Sequence, residues 1–314
     1  MLISPVRLSA LVAVVTLALA VSAAGVPAAA VVARDAGAVH EIDTTSRADV
    51  AEAWESRMAP AYDVTSGWSG NAESCQAGRP SDEAQGATLD ALNFVRAMAG
   101  LDPVDLDTAL SKKAQEAALI MAANAALSHD PPKSWDCWTK PGAKAAARSV
   151  LSWTSGEMTA GSAIEMYVDD AGSSNEAVMH RRWVLNPYVT AVGSGMTSST
   201  NAIDVMGPSD DEATDPDWVT WPTAGWFPTQ LEPGGRWSLS SGSATADFSH
   251  AVVTVTRGKT TLPVTRFAPE SGAQPTLVFQ VKGPKTPGTY RVLVKHIKGG
   301  AHPRHGYAVK LFTP

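Results

Sequence analysis

GEMTAGSAIEMYVDDAGSSNEAVMHRRWVLNP, residues 156–187, places Glu157, Glu165, Asp169, Asp170, Glu176 and His180 within 24 residues. The same stretch carries helical apolar spacing. Ile164 and Tyr167 share one face of a helix expected over Ser162–Asp170, and Gly172-Ser173-Ser174 breaks it. Asn175 is placed to cap a following helix, EAVMHRRWVL, on which Glu176 and His180 fall at i, i+4 and share a face. Asn186-Pro187 stops that helix. Glu165 and Asp169 read as solvated, which leaves Glu157, Asp170, Glu176 and His180 as the chemistry of the stretch.

Working upstream, TLDALNFVRAMAG sets Leu89, Leu92, Val95 and Met98 in an apolar helical stripe that Gly100 is placed to end. Asp107 or Thr108 can cap the next helix, whose stripe is Leu110, Ala114, Ala117 and Met121. It runs out at Leu127-Ser128-His129, because the Pro131-Pro132 pair forbids continuation. His129 thus sits just past a helix end. A third helix is expected over AKAAARSVLSW, residues 143–153. Downstream, AVGSGM and NAIDVMG alternate as strands, with Gly193-Ser194-Gly195 read as a tight turn, and DDEATDPD forms an acidic linker. The last hundred residues change period. AVVTVTRG, TLVFQVKG, TYRVLVKHI and YAVKLF alternate apolar and polar between Gly/Pro turns, the pattern of a small antiparallel β-sandwich. The segment before them, WPTAGWFPTQLEPGGRWSLS, is expected to pack at the domain junction or cover a sheet edge.

The chain has 314 residues, 44% hydrophobic and 18% charged, which is the make-up of a globular protein of more than one domain. Arg7, the apolar run Leu8–Val21 and the small residues after it read as a secretory signal, with no second apolar stretch to span a membrane. In a secreted chain the two cysteines, Cys75 and Cys137, are expected to form a disulfide. Charge is split along the sequence. Residues 35–212 hold 26 Asp/Glu against 12 Lys/Arg, and residues 215–314 hold 5 against 11. An acidic main domain argues against nucleic acid, and the basic tail module suits either docking to that domain or an acidic partner. GxSxG, P-loop and dinucleotide patterns do not occur, and there is no HExxH.

His129 and His180 with Glu157 and Asp170, drawn from separate elements, could line one cleft suited to a divalent metal or to acid–base work. The blocks NFVRAMAGLDPVDLDTALSKKAQEAALIMAANAALSHDPP, GEMTAG, AIEMYVDD, VMHRRWVLNP and AVGSGM, in that order over about residues 88–207, resemble the CAP superfamily. This SCP-like superfamily covers cysteine-rich secretory proteins, antigen 5 and pathogenesis-related proteins, and the later blocks look like its bacterial secreted branch. Carried over by position, the resemblance puts the family's cavity histidines at His129 and His180 and its GEN-type glutamate at Glu157. Its fourth member falls at Asp170, three after Tyr167, where Asp for Glu shortens the reach; Glu176 is the fallback. Met158 stands where the family has Asn, and the interval from His129 to Glu157 holds an insertion around Cys137.

The fold that the resemblance implies is α+β, an α-β-α sandwich followed here by a small all-β antiparallel sandwich. The expected organisation is residues 1–34 as secretory signal and processing region, 35–87 as lead-in and disulfide strap, 88–214 as the CAP-like domain and 215–314 as the β-sandwich. The function implied is a secreted, extracellular or envelope-associated binding protein, non-catalytic, whose cleft takes a divalent metal such as zinc. A lipid or sterol-like ligand, or a cell-envelope polymer met by the basic module, are the implied partners. The alternative is a metal-dependent hydrolase with Glu157 as base.

Overall fold

Helix α2 (Asp82–Met98) starts where the Ser81 hydroxyl accepts the Ala84 N–H at 3.0 Å, and Gly100, at φ 72°, follows its end. Helix α3 (Thr108–Asn124) is capped by Asp107, which accepts the Leu110 N–H at 2.8 Å. The computed structural model describes residues 41–210, 216–268, 272–283 and 286–314. The stretch expected to be a secretory signal and most of the expected acidic linker lie outside the described residues.

Between the helices lies a four-stranded sheet, ordered β1 (Asp105–Leu106), β3 (Ala191–Met196), β4 (Thr200–Asp204) and β2 (Ser149–Trp153). The first pair is parallel and the rest antiparallel. Helix α3 packs on β3 and β4 with α4 (Lys140–Ala146) against it. Helices α5 (Ala160–Asp169) and α6 (Met179–Val184) pack on β2, and α2 on α5. Every residue of β4 is buried, as a strand covered on both faces requires. Gly193 and Gly195 are therefore mid-strand and not a turn. A Cβ on Gly193 would meet the Leu110 carbonyl carbon at 2.4 Å, and one on Gly195 would meet the Gln115 nitrogen at 2.2 Å, so α3 can lie this close only over glycine. Ser111 and Gln115 then reach across and accept the Ser194 and Met196 N–H groups at 3.1 and 2.8 Å.

The third helix stops early. Residues 149–153, expected to continue it, form β2, because pairing with β4 over Ser149–Trp153 outweighs the alanine-rich lead of α4. Helix α1 (Arg47–Ala53) continues as a π turn over Trp54–Met58, and Val50, Trp54 and Met58 are buried in the main core. Cys75 and Cys137 are joined by a disulfide across a separation of 62 residues. In the chain-entropy model closing a loop that long stabilises by about 4 kcal/mol. The strap it pins is tied to α3, with Gln115 and Trp68 both donating to the Ala77 carbonyl at 3.0 and 2.7 Å.

The C-terminal region is a two-sheet sandwich. One sheet runs β10 (Val264–Arg266), β11 (Thr276–Val281), β7 (Arg236–Ser241), β5 (Trp218–Trp221). The other runs β6 (Gly225–Pro228), β13 (Arg304–Phe312), β12 (Gly288–Lys295), β8 (Val252–Arg257), β9 (Thr260–Leu262). The Trp/Pro-rich segment supplies β5, β6 and β7, and its rings become the core. Trp221 meets Phe227 edge-on at 4.9 Å and Trp237 meets Tyr290 edge-on at 5.8 Å, all four fully buried. One continuous apolar cluster runs from Phe94 and Val184 in the helical layer to Trp237 and Val292 in the sandwich.

Candidate functional site

Thr159 and Ser162 form a reciprocal capping box that starts α5. The helix closes at Asp170, whose φ of 49° and ψ of 48° put it in the left-handed region that Asp tolerates. The chain re-enters helix after Val178, also left-handed at φ 48°. A β-branched residue there costs of order 1–3 kcal/mol and persists only where its surroundings hold it. Val178 has 0% exposure, and that bend returns the chain so that His180 faces Asp170.

His180 donates from Nδ1 to Asp170 Oδ1 at 2.8 Å, and Asp170 Oδ2 accepts the Arg181 N–H at 3.2 Å. The Asp170 side chain is 0% exposed and that of His180 is 22% exposed, so the carboxyl holds the ring from beneath. His129 follows α3 on an exposed turn, its Nδ1 lying 2.9 Å from the Ala146 carbonyl at the end of α4. A carbonyl oxygen only accepts, so His129 Nδ1 carries a hydrogen, as does His180 Nδ1 on its carboxyl, and in the neutral form of each ring Nε2 is the lone-pair nitrogen. The two ring centroids are 6.5 Å apart with a 36° tilt. Tyr167 lies 5.9 Å from His180, and its hydroxyl is locked to Asn201 Oδ1 at 2.9 Å, with burial pushing its pKa upward.

His129, Asp170 and His180 thus come together, with Tyr167 beside them. Glu157 does not join them. It is exposed in the loop between β2 and α5, and no group of three or more His, Cys, Asp or Glu residues able to hold a metal exists among the described residues. Glu176 is exposed and precedes α6, so the i, i+4 pairing with His180 is not realised; the left-handed Val178 delays the helix to Met179.

Two arginines that sequence reasoning passed over hold the site in place. Arg181 is fully buried and donates to the carbonyls of Val168 (2.6 Å), Asp169 (2.9 Å) and Arg236 (2.9 Å) and to Ser238 Oγ (3.1 Å). Burial lowers its pKa to about 10. In return, Arg236 of the sandwich donates to the Asp170 and Gly172 carbonyls at 3.2 and 2.7 Å, lashing down the loop between α5 and α6. For Arg181 the available signal was the HRRW run, an arginine embedded between Met179 and Val184.

Glu165 and Asp169 are half-buried on α5, not solvated, and burial is the main cause that raises both carboxyl pKa values above 4.5 and 3.8. A raised folded value favours the protonated form in the fold. The stability this gives is fully present below the ordinary carboxylate range and is lost as pH rises through the raised values. Glu165→Gln is therefore expected to raise the urea midpoint at pH 7 relative to the parent, with the difference vanishing on acidification below about pH 4. A midpoint difference that is constant with pH would contradict this.

Residues 89–206 match the family model described as CAP, Cysteine-rich secretory protein family. No curated protein matches the chain. Among solved structures, PcoC, a methionine-rich copper resistance protein from Escherichia coli, aligns at 17% identity with a TM-score of 0.24. The alignment covers 30% of this chain and 93% of that one. That likeness is too loose to carry weight here. No helix among the described residues is long and apolar enough to cross a membrane.

Proposed function

We propose that this chain, whose residues 89–206 are a CAP domain, is an extracellular binding protein that uses His129 and His180 as a two-histidine site for a divalent cation such as zinc. The observation that carries the reading is the matched state of the two rings. Each Nδ1 is bound to a protein oxygen, at 2.9 and 2.8 Å, which makes Nε2 the lone-pair nitrogen of each neutral ring. That is how metal-binding imidazoles are oriented, with a carbonyl or carboxyl fixing tautomer and ring angle from behind. Two side-chain ligands without a third fit a weakly held, exchangeable cation with positions open to a ligand. They do not fit a structural zinc, which takes four. The metal would supply Lewis acidity toward whatever the cleft takes; the chain's own part is to orient the two imidazoles. The alternative, a metal-dependent hydrolase with Glu157 as base, has less support, since Glu157 is exposed in the loop between β2 and α5.

Nitrogen-15 NMR of the imidazoles tests the orientation directly. Both rings are expected as the Nδ1–H tautomer near neutral pH, with zinc shifting the two Nε2 resonances. An Nε2–H tautomer in either ring, or no Nε2 response to zinc, would refute the reading.

The basic module supports an acidic envelope polymer as the partner. Strand pairing places Arg291 and Lys295 on one face of β12 beside Arg304 and Lys310 of β13, and the first three are exposed. Retention of the full chain on cell-wall material is expected to fall steeply as salt shortens the Debye length below about 10 Å, and to be lost on Arg291→Glu/Lys295→Glu. Retention that ignores both salt and charge reversal would rule out this partner.

A further inference from the structure

The segment that follows His180 forms one wall of a cavity of about 610 Å³ whose other wall is the sandwich. Trp183, Asn186 and Tyr188 line it from the first side, and Asp247, Phe248 and Gln274 from the second. The volume is that of a small-molecule site, roughly 300–1,000 Å³, and neither histidine of the two-histidine site lines it.

The polar groups of the cavity are fixed before anything enters. Asn186 Oδ1 accepts from the Tyr188 N–H at 3.0 Å and from Gln274 Nε2 at 2.9 Å, which sets the rotation of both amides. The Gln274 carbonyl accepts from Arg182 Nη2 at 2.8 Å and from Thr276 Oγ1 at 2.9 Å, so the loop holds its shape by its own bonds. Asn186 Nδ2 then keeps its donor pair and Gln274 Oε1 its acceptor lone pairs, on two side chains that meet where the walls join. Around them Trp183 and Tyr188 are half-buried and Phe248 is buried, giving flat apolar surface next to a paired donor and acceptor.

This combination selects by exclusion. A purely apolar occupant would strip water from both amides and leave them unbonded, which costs affinity. An anionic occupant would meet Asp247, whose carboxyl is held below the usual carboxylate range first by the Ser249 hydroxyl and then by the Ser249 N–H, which it accepts at 2.7 Å. With Arg182 and Asp247 both in the lining the cavity carries charge of both signs, and a neutral molecule with apolar faces and a rim of adjacent hydroxyls, each both donor and acceptor, satisfies the two amides. We propose that this cavity binds a neutral saccharide, with sugar faces against Trp183, Tyr188 and Phe248 and neighbouring hydroxyls on Asn186 Nδ2 and Gln274 Oε1. The site belongs to neither the helical layer nor the sandwich alone, and the contacts of Arg182 with the 272–276 turn keep its two walls together.

The test is calorimetric titration of the full mature chain with neutral tetrasaccharides of the cello, xylo, manno and chito series, and with an acidic galacturonate oligomer as comparison. At least one neutral series is expected to bind at millimolar concentration or better, and the acidic oligomer more weakly. Asn186→Asp keeps the acceptor that anchors Tyr188 and Gln274 but removes the donor pair, and is expected to weaken binding by about tenfold or more. Ala244→Trp, which fills the mouth from an exposed position lining the cavity, is expected to abolish it, whereas His129→Ala leaves it unchanged. The proposal is overturned if no neutral series binds, if the acidic oligomer binds better, or if both cavity variants bind like the parent.

Discussion

Arg181→Ala is expected to lower the unfolding free energy by about 3–5 kcal/mol, the usual cost of removing one partner from a buried charged network. The reasoning starts from what the side chain leaves behind. Three main-chain carbonyls and the Ser238 hydroxyl lose their donor in a region closed to water, and each unsatisfied group costs about 1–3 kcal/mol before relaxation. Against a typical total of about 5–15 kcal/mol, that is a large share of the margin. Arg181→Met keeps the packing stem and is expected to recover only part of the loss, because the carbonyls stay unpaired. Arg79→Ala is the control. Its ion pair with Asp82 is largely solvent-exposed, and no measurable change is expected there. Urea unfolding followed by fluorescence checks all three. If Arg181→Ala unfolds at the parent's midpoint, the clamp between the helical layer and the sandwich is not what holds the loop between α5 and α6.

The same clamp explains how far the sequence could be read. Apolar spacing and capping residues placed α2 and α3 correctly, because Leu92, Val95 and Met98, or Ala114, Ala117 and Met121, really do face the core. Period-2 alternation found β8, β11, β12 and β13 for the same reason. Where tertiary contact decides, local pattern gave the wrong answer. Val150 and Leu151 follow an alanine-rich helix and look like more of it, yet they pair with Ile203 and Ala202 of β4. Gly193 and Gly195 look like a turn until α3 is laid across them. Tryptophans beside prolines look like surface cover, yet Trp221 and Trp237 are the centre of the sandwich.

The site was legible in part. His129, Asp170 and His180 come together as spacing and family resemblance together implied, although the Asp stands one methylene short. That shortening costs nothing here because Asp170 itself caps α5 in a left-handed turn, which carries its carboxyl to His180 Nδ1 without a longer arm. Glu157 was assigned by spacing and by its motif position, and the structure leaves it in an exposed loop. The HRRW run marked Arg181 as embedded between apolar residues, but the partners of Arg181 and Arg236 are mostly carbonyl oxygens, which no residue type advertises.

Loss of zinc binding on removing either histidine is the second large effect expected. With only two side-chain ligands, neither imidazole has a substitute among the described residues, so one deletion leaves a single nitrogen that cannot hold the ion against water. Asp170→Asn should fall between. It keeps an acceptor oxygen but removes the carboxyl that orients and polarises His180, and a change of that kind costs about 10–100-fold in metal affinity. His129 is exposed, so its alanine variant is expected to fold as the parent does and to report on binding alone. Calorimetric titration of zinc into the parent, His129→Ala, His180→Ala and Asp170→Asn is accordingly the most direct test of the two-histidine site. The expected result is saturable binding to the parent, a weakened isotherm for Asp170→Asn and none for either histidine variant. Equal zinc affinity in the parent and in both histidine variants would contradict it.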